Sequence, residues 1–153
     1  MNNKFKVILT AVLALLAMDV RADEPKTLTV EPPVVLKARK VKPYEVTSGT
    51  VIPLVLQSAD EQIPVALISS DVFDLYGNVT IPKGSKLVGK YKGQLNGRHL
   101  VYWEGLQVSN IAGTLRLDPP LLATMPDGAS GITSLSPGTR IATITNEPFI
   151  MPH

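Results

Sequence analysis

From Thr50 onward, apolar and polar residues alternate in short runs, each closed by glycine, proline, asparagine or aspartate. Thr50 to Gln57 is the first run, Pro64 to Ser69 the second, and Asp71 to Leu75 continues it after a bend. Tyr76-Gly77-Asn78 reads as a turn, Val79 to Ile81 as a short strand, and Pro82-Lys83-Gly84 as another turn. Lys86 to Tyr91 is a strand containing Gly89, and a glycine there implies a bulge or a close approach of backbone. Asn96-Gly97 is the strongest hairpin signal in the chain and leads into the long run Leu100 to Val108. Gly113 to Leu117 and Arg140 to Thr145 complete the set. No helical period survives the prolines and glycines, and strands about 10 residues apart predict an all-β domain, a small β-barrel or sandwich of short strands. Its expected core is Val51, Leu54, Leu56, Leu87, Val88, Tyr91, Val101, Trp103 and Ile141.

Two stretches stand outside this pattern. Residues 23–44 contain Pro25, Pro32, Pro33 and Pro43 and read as an extended, proline-rich N-terminal arm ahead of a β domain at 45–153. Within the arm, Val30, Pro32, Pro33, Val34 and Leu36 are the candidate assembly residues. Residues 118–136 hold Pro119, Pro120, Pro126, Gly128 and Gly131 and are expected to form a long loop. Leu121, Leu122 and Met125 are its candidate contact residues.

The first 22 residues change the charge picture. Lys4 and Lys6 precede the apolar run Val7 to Met18, and Val20-Arg21-Ala22 places small residues where a signal peptidase cuts. Twelve residues of helix reach about 18 Å, short of the roughly 30 Å hydrocarbon core. Residues 1–22 therefore read as a signal peptide, with retention as an inner-membrane anchor the other reading. Export to the periplasm follows. Removing Lys4, Lys6, Arg21 and Asp19 takes the 15 basic and 13 acidic residues to 12 of each, so no polyanionic partner and no direct nucleic-acid binding are implied. Lys37, Arg39, Lys40 and Lys42 still form a local basic cluster, either a solvated face or a contact for an acidic groove or lipid headgroups.

Catalytic signatures are absent. The chain has no cysteine, which removes disulfides, thiolate nucleophiles and cysteine-ligated metals. His99 reads as a strand residue and His153 as a mobile terminal one, so no Ser-His-Asp set can be assembled. Pro82 to Lys86 lacks the glycine spacing and the following helix of a phosphate loop. Asp71 and Asp74 lack a third oxygen ligand on a glycine-turned loop, and calcium is not implied. No enzyme, cofactor or metal is expected. Trp103 reads as a core aromatic, with an oligomer interface as the alternative.

The order of segments resembles the C-terminal domain of the TrbI family, the core-complex scaffold of type IV secretion and conjugation machines. Gly49 to Leu56 is similar to that domain's opening strand. The run Ile81, Pro82, Gly84, Ser85, Lys86, Leu87, Gly89 and Tyr91 matches its most recognisable segment, and Leu100 to Leu106 the strand after it. Pro137 to Ile141, through Phe149 to Pro152, is similar to its terminal strand. The resemblance implies a barrel-like periplasmic domain that joins copies of itself and other secretion-channel subunits near the outer membrane. It also implies that residues 118–136 replace the family's two-helix projection, being too short for two spanning helices. The expected role is a structural subunit assembling by its arm and by free strand edges. The alternative is a monomeric periplasmic binding module or assembly chaperone holding a peptide or glycan on a sheet face.

Overall fold

The computed structural model describes residues 38–58 and 62–153. The domain begins at Arg39, and residues 1–22, read above as a signal peptide, and Val30 to Leu36 lie outside the described residues. Within them there is no helix. The strands are β1 (Glu45–Val46), β2 (Val51–Ser58), β3 (Val65–Ile68), β4 (Val72–Phe73) and β5 (Val79–Ile81). They continue with β6 (Lys86–Leu95), β7 (Arg98–Gln107), β8 (Leu115–Thr124), β9 (Arg140–Ile144) and β10 (Phe149–Ile150). Six of them close in the order β2-β3-β6-β7-β8-β9, with β9 returning to β2 through Val51↔Ile144 to Val55↔Arg140. The barrel expected as one of two all-β architectures is the one formed. β1–β10 and β4–β5 make two separate two-stranded sheets.

Alternation fills the barrel. Ile52, Leu54 and Leu56 of β2 point inward with Ala66 and Ile68 of β3, while Val51 is 54% exposed. Val51 was an expected core residue, and strand phase explains the difference: two inward residues at 54 and 56 force 51 outward. Val88 is only half-buried for the same reason, since Leu87 and Gly89 take the inner face of β6. Tyr91 packs at the rim of the core. Small residues then admit the largest side chain. Trp103 is fully buried, and a Cβ on Gly89 would stand 2.7 Å from Trp103 Cε3 and 2.8 Å from the Tyr102 carbonyl. The glycine inside β6 marks both a close approach and a register shift between Val88 and Gly89.

That shift has a cause on β7. Val88 pairs with Gly105 and Gly89 with Trp103, so Glu104 is an extra residue. The bulge flips the phase: Val101 and Trp103 point inward before it, Leu106 and Val108 after it. The β6–β7 turn is the expected two-residue one, with Leu95 opposite Arg98. Asn96 and Gly97 both have positive φ, at 51° and 75°, which fits the twist of the flanking strands.

The loop expected at 118–136 is corrected. β8 runs on to Thr124, with Leu121 opposite Trp103 and Leu122 opposite Tyr102. The prolines are accommodated by a break in pairing. Between Leu121↔Trp103 and Arg116↔Gly105, residues 117–120 face the single residue Glu104, so neither Pro119 nor Pro120 is asked for a ladder hydrogen bond. The true connection begins at Met125 and ends before β9.

Candidate functional site

The chain enters the domain through residues 39–46, and these are fastened rather than free. Glu45 is buried; its carboxylate accepts from the Arg39 guanidinium and from the Lys42 backbone N–H at 3.0 Å. The Arg39 hydrogen bond, then that of Lys42, hold its pKa below the ordinary range. Asp74, also buried, accepts from Tyr44 N–H, Tyr76 N–H, Asn78 N–H and the Asn78 side-chain amide, all at 2.8 Å. Burial pushes the Asp74 pKa up, but the Asn78 side chain and the backbone donors of Tyr44, Asn78 and Tyr76 outweigh it and hold it at about 2. Tyr44 itself has φ of 59°. Its N–H is taken by Asp74, its carbonyl accepts from Met151 N–H at 2.9 Å, and its ring stacks on His153 at 4.1 Å. These contacts over-determine a conformation that a tyrosine rarely adopts. Contrary to the expected mobility, His153 is part of this junction. The Tyr76 hydroxyl adds a bond to the Val41 carbonyl at 2.7 Å.

The arm boundary expected at residue 44 therefore moves. Arg39 to Tyr44 belong to the domain, because two buried carboxylates and β1–β10 pairing hold them there. Asp74 was weighed in the sequence only as a weak calcium ligand. Its actual role depends on Tyr44, thirty residues away, and no local pattern announces it. Asp74 carries a pH prediction. Its folded pKa lies below the ordinary 3.8, so its stabilisation is complete above that value, shrinks as pH falls, and is gone below about 2. Asp74→Asn should be less stable than the parent near neutrality, and the gap should narrow through this acid window. Urea midpoints measured along a pH series check it. A constant gap would assign the loss to packing instead.

The family-like run turns out to build a corner. Ile81 of β5 is fully buried. Ser85 Oγ donates to the Pro82 carbonyl at 2.7 Å, and Gly84 takes φ of 85° between them. Gly84 N–H donates to the Ile68 carbonyl at 2.9 Å, and Ile68 N–H donates to the Ser85 carbonyl at 2.8 Å, which tie the corner to β3. Lys86, Leu87, Gly89 and Tyr91 follow on β6, Leu87 and Gly89 facing the core and Lys86 facing water.

Leu121 is buried, while Leu122 and Met125 are half-buried. Leu121 is in the core, the Leu122 carbonyl accepts from Thr143 Oγ1 at 2.7 Å, and Met125 packs against the core. Leu121 instead lines a groove of about 270 Å³ that sequence reasoning missed, with Leu106, Leu115, Leu117, Phe149 and Met151. It opens where β8 departs from β7, beside β10. Its only sequence signal is the Asp118-Pro119-Pro120 interruption, which was read as a loop. Among the described residues no three histidine, aspartate or glutamate side chains gather as a metal site would need. His99 hydrogen bonds Tyr91 and Gln94.

The architecture is that of a small, filled, six-strand barrel carrying two short appended sheets. Among solved structures it is similar to ComB10 of the Com type IV secretion system of Helicobacter pylori. The two share 16% identity with a TM-score of 0.53, over 72% of this chain and 92% of that one. At that identity the likeness is one of fold. No family model matches the chain, and no curated protein does.

Proposed function

We propose that this protein is a structural subunit of a type IV secretion channel, exported to the periplasm and assembled with copies of itself and with other channel subunits. One observation carries the reading: its fold is similar, at a TM-score of 0.53, to 92% of the solved chain of ComB10, a secretion-system protein. The TrbI-like run at Ile81 to Tyr91, together with an arm rich in proline, supports the same role. The protein is not an enzyme in this reading; its work is to hold neighbours. A closed barrel leaves no free edge. Strand exchange is thereby confined to the arm and to the two appended sheets, and the arm at residues 23–38 is the donor.

Deleting residues 23–38 should leave the domain folded, with an unchanged thermal transition, and abolish its recovery in a larger complex. The cut stops at Ala38 because removal of Arg39 and Lys42 would strip the partners from buried Glu45. Isolation from cells by gentle extraction and light scattering reads the result. If the truncated chain enters the same complex, the arm is not the assembly element. The groove beside β10 favours one second reading, a monomeric module holding an apolar peptide. A strictly monomeric protein that retains a peptide through purification would select it.

A further inference from the structure

The β4–β5 hairpin lies outside the barrel and carries apolar side chains that the fold leaves exposed. Val72, Thr80 and Ile81 face inward. Phe73 and Val79 are cross-strand partners on the outer face, 56% and 42% exposed. Leu75 and Tyr76 form the tip, at 71% and 57%. Four large apolar side chains on one short hairpin are more than the scattered apolar exposure of an ordinary surface. They lie apart from the groove at β8 and β10, which is lined by other residues.

Cations flank this tip. The Tyr76 hydroxyl is bonded to the Val41 carbonyl, which sets exposed Lys40 and Lys42 on either side of that contact. Lys83, also exposed, follows β5 at the base of the hairpin, away from the tip, where its backbone N–H donates to Asp71 at 2.6 Å. Of the acids in this region, Asp74 is enclosed by its four donors and Glu45 is paired with Arg39. Asp71 is the exposed one. An aliphatic and aromatic tip with lysines around it matches the two layers of an anionic lipid surface: apolar groups enter beneath headgroups that the lysines neutralise. A lipid surface also needs no matching knob or hole, which suits an exposed turn that has no groove of its own.

We propose that this hairpin seats the domain on an anionic phospholipid bilayer, with Phe73, Leu75 and Tyr76 entering the interface and Lys40 and Lys42 at the headgroups. This does not depend on the secretion reading. The absence of cysteine from the chain makes a site-specific test direct. Leu75→Cys and, on the β6–β7 hairpin, Leu95→Cys are each labelled with an environment-sensitive fluorophore in the full chain. Both are mixed with vesicles of phosphatidylglycerol and phosphatidylethanolamine, or of phosphatidylcholine alone.

The label at 75 should shift to the blue with anionic vesicles only, while the label at 95 stays in water. This contrast holds even if the apolar N-terminal segment also binds the vesicle. Phe73→Ser in the Leu75→Cys background, and separately Lys40→Glu with Lys42→Glu, should each weaken the response about ten-fold. An unresponsive label at 75, or equal shifts at 75 and 95, overturns the proposal. So does a shift at 75 without lipid that tracks self-association in light scattering, which would make a second copy the occupant.

Discussion

Replacing Trp103 with alanine should lower the unfolding free energy by about 3–5 kcal/mol, as truncating a large core aromatic does. Trp103 is fully enclosed, and it meets Gly89 on one neighbouring strand and Leu121 on the other. Few of its contacts can be replaced by relaxation, because the surrounding ladder is closed on itself. Against a typical total of about 5–15 kcal/mol, such a loss takes a large share of the stability. Urea unfolding followed by circular dichroism reads it as a fall in midpoint at unchanged slope. A loss under about 1 kcal/mol would mean that the indole is not the core of the barrel.

Gly89→Ala should cost about 1–3 kcal/mol, from the opposite cause. Here the new methyl group has no room: it would lie 2.7 Å and 3.0 Å from two indole carbons and 2.8 Å from the Tyr102 carbonyl. Gly89 is not among the glycines with positive φ, so the cost is steric and not conformational. The two substitutions should be non-additive. In the Trp103→Ala background the indole contacts vanish while the carbonyl contact stays, and Gly89→Ala should then cost less. A double-mutant cycle measures that coupling. Strict additivity would show that the glycine and the indole do not oppose each other as the structure places them.

These two residues also show what the sequence could convey. Gly89 inside a strand, and an aromatic on the next one, are each visible alone. Their pairing was not, because it depends on the extra residue Glu104, and a bulge leaves no mark in an alternation that has apolar residues on both faces. The Asn96-Gly97 hairpin was legible because turn and flanking strands report one geometry within a few residues. The closure of β2 onto β9 joins positions about ninety apart, and nothing local distinguishes it from an open sandwich. The second half of β8 was misread since proline usually ends a ladder, and here a wide break in pairing absorbs it. The anchoring carboxylates Glu45 and Asp74 were missed for a related reason. An acidic residue in a polar stretch looks solvated until its donors arrive from elsewhere in the fold. Val30 to Leu36 lie outside the described residues and are the proposed assembly segment.

The pairing of β1 with β10 has a mechanical corollary. Glu45 sits opposite Ile150, so the incoming and outgoing strands lie side by side at one spot. Tension applied between those two points would load this pair one rung at a time, together with the bonds of Glu45, Asp74 and Tyr44 that fasten it. Little of that pull would pass through the six-strand ring. A domain built this way takes strain at its clasp before its ring.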